Sequence, residues 1–345
     1  MHSRPWLPQQ CHEAIRAVLR SGMIGQGETT REFERRMSAW VGAADGVAVG
    51  SGSAAVFLAL AALEAGDGSE VILPTYVCPS VMDAVLTAGA TPVLCDVGRD
   101  WVVTADNIKD LVNAHTRAII VPHMYGIFAD VASVRALGIP VIEDSAQAVD
   151  AHGARRIAGD ILVFSFHPTK CLTTGEGGMA VTARADLLEK MRVLRDGTGN
   201  RPRLFSPLAD TGAALGVAQL EIYPEGLERR RRIAAAYREA LQAVAPQILP
   251  PEQSGTGTMY FRFPLRVPGG LDAFAAEFWN EGIVVRRGVD RLLHRLAGLP
   301  DRRFPVAIRL FETTLSLPIY PALSEKELSR CIAAVRRILG AYRFG

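Results

Sequence analysis

The stretch 164-FSFHPTKCLTTGEGGM-179 sets one lysine, Lys170, between an apolar run and a cluster of glycines. The run 160-DILVFSF-166 reads as a strand buried on both faces, and 177-GGMAVT-182 reads as another. A surface lysine would need no such setting; its ordinary place is at a strand end, stem on apolar neighbours and ammonium in water. An amine near the solution pKa of ~10.4 is almost all ammonium at neutral pH and a poor nucleophile. A lysine that must lose its proton and bond a carbonyl carbon would need burial among small neighbours.

Working outward from that stretch, apolar strands and helices alternate. Ahead of it lie 46-GVAVG-50, the helix 53-SAAVFLALAALEAG-66, 70-EVILP-74, the helix 78-CPSVMDAVLTAG-89 and 91-TPVLCDV-97. Then come 103-VTADNIKDLVNAHT-116, helical with Thr104 as N-cap, the strand 117-RAIIVPH-123, the short helix 131-VASVRALG-138 and the strand 139-IPVIEDSA-146. Strands this apolar, separated by helices, predict an α/β fold with a mainly parallel sheet covered on both faces. Ligands of such sheets collect at the carboxyl ends of the strands. Residues 12–42 read as helical, broken at GMIGQGE. Past about residue 215 the pattern changes to a long helical stretch, 214–244, interrupted at Pro224. The runs 260-YFRFPLRV-267, 272-DAFAAEFWNEG-282, 283-IVVRRG-288 and 325-EKELSRCIAAVRRILGAY-342 then predict a smaller α+β domain. We place the large domain, with its N-terminal helical segment, at 1–220 and the small one at 221–345.

The chain has 345 residues, 49% hydrophobic and 21% charged, with net charge +2. That balance gives no footprint for nucleic acid or an anionic membrane. Five dispersed cysteines without CxxC spacing read as reduced thiols, not a zinc site or disulfide frame. The first twenty residues lack the apolar core of a signal peptide, and no run approaches a membrane span. The expected location is the cytoplasm, and no metal site is expected.

Three companions accompany Lys170. Asp144 ends the apolar run IPVIED, where a carboxylate is awkward unless it meets a cation or donor. Ser165 lies at the end of the lysine's own strand. The segment 50-GSGSAA-55 joins a strand to a helix, so its backbone N–H groups and Ser53 could hold a phosphate. These are the parts a pyridoxal phosphate site requires: a lysine to condense with the aldehyde, an aspartate on the pyridinium nitrogen, and donors for the phosphate.

The chain resembles the DegT/DnrJ/EryC1/StrS family of fold-type I, pyridoxal phosphate-dependent aminotransferases, from about residue 22 to 332. The motifs that carry the resemblance are 123-HMYG-126, 141-VIEDSAQA-148, 164-FSFHPTK-170 and 175-GEGGM-179. It implies a three-layer large domain and a homodimer with sites shared between subunits. Position by position it implies Lys170 as the Schiff-base lysine, Asp144 as the pyridinium partner and Gln147 near the ring hydroxyl. Ser165, Ser53 and the Ala54 backbone would bind the phosphate. Relatives that dehydrate a deoxysugar carry histidine in place of the lysine, so Lys170 favours transamination. The implied substrates are an amino donor, by family habit glutamate, and a nucleotide-linked keto-deoxysugar.

Two positions depart from the family pattern. Cys78 stands where many relatives place an aromatic that stacks on the cofactor, with Tyr76 as the side chain that could fill the gap. Phe205 and Pro207 stand where a polar residue would reach into the partner's site, leaving Arg201 and Arg203 as loose candidates. GSGSAA also fits the dinucleotide pattern G-x-G-x-x-[GA], so an NAD-dependent oxidoreductase is the alternative. That pattern wants an acidic residue ending the second strand, and 71-VILPTY-76 has none. A homologue that binds the cofactor without catalysis is a third reading. His123 reads as structural, His167 equally as turn-holder or substrate contact, and Cys171 as a packed thiol. The run Arg229–Arg232 reads as a solvated helix face.

Overall fold

The computed structural model of the protein describes residues 1–149, 157–200, 202–249 and 259–342. Seven strands make one sheet: β1 (Asp45–Val49), β2 (Glu70–Pro74), β3 (Thr91–Cys95), β4 (Thr116–Pro122), β5 (Val141–Asp144), β6 (Ile161–Ser165) and β7 (Gly178–Thr182). Their order is β1-β7-β6-β5-β4-β2-β3. Strands β2 to β6 run parallel, while β7 is antiparallel to both β6 and β1. The strands are apolar because both faces are covered. Leu58, Leu73, Val85 and Ile120 share one core, and Phe33, Phe164, Met179 and Leu220 share another.

The reversal at β7 has a local cause. Residues 166–177 hold no helix, and a parallel return needs a crossover that usually contains one. The chain therefore doubles back, and Ser165 pairs with Gly178. Register then gathers one edge of the sheet: Pro122 opposes Asp144, Asp144 opposes Val163, and Val49 opposes Gly178.

The second half builds a smaller sheet, β8 (Phe263–Arg266) antiparallel to β9 (Thr314–Leu317). With helices Gly270–Asn280 and Glu325–Ala341 it encloses Tyr237, Phe263, Phe278 and Val335.

Three expectations change. The helix Asp210–Val244 runs unbroken through Pro224. An interior proline costs about 3 kcal/mol, which burial along the whole helix offsets: Leu220 and Tyr223 sit in the core with Phe33 and Phe164, Tyr237 and Leu241 in that of the smaller sheet. The segment IVVRRG forms no strand; Arg286 makes one isolated bridge to Ser316. The helix expected at 103–116 shrinks to Ala105–Ile108 and a 3-10 turn, although Thr104 does cap it, its N–H donating to Asn107 Oδ1 at 3.0 Å. All five cysteines are free. Among the described residues no helix is long and apolar enough to cross a membrane.

Candidate active site

The hydroxyls around Lys170 serve the loop itself. Thr173 Oγ donates to the Phe166 carbonyl at 2.9 Å and Thr174 Oγ to that of Glu176 at 2.6 Å. The Phe166 N–H donates to the Gly177 carbonyl at 2.9 Å, and Lys170 N–H to that of His167 at 2.8 Å. Gly175 takes φ +87°, a left-handed turn that favours glycine. Hydroxyl side chains thus satisfy backbone groups that no strand or helix pairs. The lysine is held on a closed frame.

That frame opens on a cavity of about 440 Å³ at the gathered strand ends, lined by Ser53, Cys78, Asp144, Gln147, Ser165 and Lys170 among others. Burial pushes the Lys170 amine below its ordinary value, with Asp144 opposing the shift. Burial also pushes the Asp144 carboxyl up, with the Ala146 N–H and then Lys170 opposing. Each is driven toward its neutral form, as expected for ionisable groups out of water and not in ion-pair contact. Among the described residues the Asp144 carboxylate accepts one hydrogen bond, from Ala146 N–H to Oδ1 at 2.9 Å. A buried carboxylate with a free oxygen is suited to a cation that arrives with a ligand.

The other end of the cavity is a helix N-terminus. Ser51 caps the helix Gly52–Ala62, its Oγ accepting from Ala54 N–H at 3.1 Å. The Ala54 N–H, expected on a phosphate, is therefore committed to the cap. Among the described residues nothing accepts from the N–H groups of Gly52 and Ser53, and no hydrogen bond reaches Ser53 Oγ or Ser165 Oγ. Four donors and a helix dipole at one end of a cavity suit a phosphate dianion. Their convergence depends on Gly52, where a Cβ would lie 2.6 Å from Ser165 Cβ and 3.2 Å from its Cα. Gly52→Ala is expected to cost about 1–3 kcal/mol through overpacking and to weaken pyridoxal phosphate binding at least about tenfold by displacing Ser165 from the donors. Thermal unfolding and a cofactor titration check this; unchanged affinity would detach Ser165 from the phosphate.

Gln147 Oε1 accepts from Tyr125 N–H at 3.0 Å, which orients the amide where it lines the cavity. Tyr76 does not fill the place beside Cys78: it is fully buried with its hydroxyl on that of Tyr125 at 2.9 Å. Cys78 itself lines the cavity and accepts from Ser80 Oγ at 3.2 Å. His123 is committed at both ring nitrogens, to Ala129 N–H and to Glu143. His167 both braces the turn, through Thr169 Oγ at 2.9 Å, and lines the cavity. Burial raises the Cys171 thiol, which suits a packed side chain. Arg203 lies exposed, and Arg201 lies outside the described residues.

Phe261 and Arg262, which went unread in the sequence, both line the cavity, as do Glu176 and Asp290. The signal was present, a charge flanked by aromatics in FRF, much as Asp144 interrupts IPVIED. The solvated face expected of Arg229–Arg232 is corrected at Arg230, which is buried and donates to the carbonyls of Tyr260, Phe261 and Ile319. It ties the segment carrying Phe261, and Ile319 just past β9, to the helix, because these backbone acceptors have no strand partner.

The sequence model of the DegT/DnrJ/EryC1/StrS aminotransferase family matches residues 7–336. The chain belongs to that family. It is 36% identical over 340 residues, 91% of this chain and 89% of the relative, to UDP-N-acetyl-3-dehydro-alpha-D-glucosamine 3-aminotransferase of Acidithiobacillus ferrooxidans. The solved aminotransferase TlmJ from Streptoalloteichus hindustanus superposes with TM-score 0.91 at 31% identity, covering 99% of each chain. Spr1654 from Streptococcus pneumoniae, in a PMP form, superposes with TM-score 0.90 at 25% identity, covering 98% of this chain and 97% of that one. This aminotransferase is thus a pyridoxal phosphate enzyme, and its free donors, half-buried lysine and under-bonded Asp144 fit that cofactor. The oxidoreductase alternative falls. The second glycine of GSGSAA answers to Ser165 pressing on it, not to a dinucleotide.

Proposed function

We propose that this aminotransferase moves the amino group of an amino-acid donor, glutamate, onto the keto group of a nucleotide-linked sugar. One observation carries the reading: Lys170, Asp144 and the free donors of Gly52, Ser53 and Ser165 surround one cavity at the sheet's carboxyl edge. The sugar half of the reading draws on the activity for which the Acidithiobacillus ferrooxidans relative is named. When bound, pyridoxal phosphate supplies an aldehyde that takes the amino group and a ring that draws electrons from the reacting carbon. Ser53, Ser165 and the Gly52 N–H would hold the phosphate, with Gln147 and Cys78 lining the same cavity. Asp144 keeps a proton on the ring nitrogen. Lys170 Nζ, its pKa lowered by burial, would take the proton from the donor α-carbon and return it on the far side of the exchange.

Loaded with pyridoxal phosphate, the protein should show a visible absorbance band that glutamate bleaches and a keto-sugar nucleotide restores. Mass spectrometry should then find the amino sugar. A small keto compound without a nucleotide, as the sole acceptor, would defeat the substrate assignment and leave the amino transfer intact. We also propose a homodimer. Met23, Ile24 and Leu204, 70%, 51% and 58% exposed, are apolar side chains that such a contact would cover. Sedimentation at one protomer mass would refute it.

A further inference from the structure

Among the described residues one guanidinium lines the cavity, that of Arg262. Among the described residues no carboxylate pairs with it, although Glu176 and Asp290 also line the cavity. Its hydrogen bond goes to Nδ1 of His2, and its Cζ lies 4.8 Å from the centroid of the Phe261 ring. Lys170 Nζ lies 5.5 Å from that same centroid. His2 is itself buried, with Nε2 3.1 Å from the Ser316 carbonyl. Since a carbonyl only accepts, Nε2 carries the proton and Nδ1 is left to accept from Arg262. Burial, and then Arg262, hold the His2 imidazole well below its ordinary value, in keeping with that neutral state. Burial, and then the nearby Arg230, depress Arg262 to about 10. A guanidinium held this way, paired with no carboxylate among the described residues, is suited to an anion that arrives with a ligand.

We propose that Arg262, positioned by His2, binds a carboxylate of the amino-acid donor. The inference rests on the aminotransferase reading of the cavity and specifies which substrate this wall receives. Distance selects the donor. In an amino acid the α-carboxylate is one bond from the carbon whose proton Lys170 takes, so the anion must sit beside the lysine. In a nucleotide sugar the diphosphate is separated from the keto carbon by part of the sugar ring. Arg262 and Lys170 flank one ring, that of Phe261, so an anion held by Arg262 lies on the lysine's side of the cavity. Arginine is the residue for it, because its planar fork meets a carboxylate through two parallel hydrogen bonds.

The test separates the two half-reactions in the pyridoxal phosphate-loaded protein. In Arg262→Met the glutamate concentration that half-saturates bleaching should rise about 10- to 100-fold, the worth of a charged hydrogen-bond pair. Return of colour with the keto-sugar nucleotide, and affinity for the cofactor, should stay within about threefold. Arg262→Lys should recover part of the loss. His2→Gln should raise the half-saturating glutamate without lowering the maximal bleaching rate. Independently of turnover, maleate, an unreactive dicarboxylate, should bind the wild type by calorimetry and fail to bind Arg262→Met of unchanged unfolding temperature. Loss confined to the acceptor half-reaction, or equal maleate binding by both proteins, overturns the proposal. Wild-type protein that binds maleate but is bleached by no amino acid would instead refute the donor step of the proposed function.

Discussion

Lys170→Ala is expected to abolish amino transfer, lowering turnover by at least about 10⁴-fold, the upper end of what one positioned proton-transfer group contributes. The same change should remove the visible band of the loaded protein and leave a free-cofactor spectrum. The backbone of the loop has little reason to move, since its closure depends on Thr173, Thr174 and the Phe166–Gly177 bond. Stability carries a second, opposite expectation. Burial lowers the Lys170 pKa in the folded chain below its unfolded value. Below that folded value the buried ammonium opposes folding, and the penalty lifts as pH rises through it toward the unfolded value. At neutral pH the cofactor-free alanine variant should therefore unfold no earlier than the wild type. A calorimetric scan checks stability, and a glutamate-driven assay checks turnover. Residual turnover above about a hundredth of wild type would move the proton-transferring role to another residue.

Asp144→Asn is expected to lower turnover on the order of 10²- to 10⁴-fold, the consequence of removing one partner of a buried charge pair worth about 3–5 kcal/mol. Asparagine keeps an oxygen for the Ala146 N–H, so the cofactor-free fold loses no hydrogen bond there. The sign for stability again opposes function. Burial raises the Asp144 pKa above its unfolded value, so the folded chain takes up a proton more readily than the unfolded one. The group is tolerated below the ordinary carboxylate range and becomes a burden as pH rises through its raised folded value. Relief of that burden should make the cofactor-free variant at least as stable as wild type near neutral pH, by equilibrium urea unfolding. With pyridoxal phosphate added the order should invert, because only the aspartate gains a cationic partner. A variant destabilised without cofactor would show that Asp144 serves the fold first.

Both predictions concern residues legible in the chain before any coordinates. Asp144 and Lys170 stand out because each places a charge where an apolar strand ends, and strand ends can be located from runs such as IPVIED and DILVFSF. The seven strands of the large sheet are legible for the same reason: a strand covered on both faces must be apolar along its length. Glycine within GSGSAA marks a close approach of backbone, although only the structure shows that the neighbour is Ser165.

Other features depend on partners far apart along the chain. Pro224 reads as a break, yet two separate cores hold its helix together. The four arginines at 229–232 read alike until packing buries Arg230 against three carbonyls. Ser51 and Ser53 are both hydroxyl residues of one turn; only the dihedral angles of the helix start make the first a cap and leave the second free. Residues 170, 261 and 262 line one cavity, with residue 2 bonded to the last of them, and no periodicity predicts it. Local sequence sets which residues can be strand, helix or turn, because those preferences act over a few bonds. Which charges end up facing one another depends on how distant segments pack, because burial and Coulomb forces act through space and ignore order along the chain.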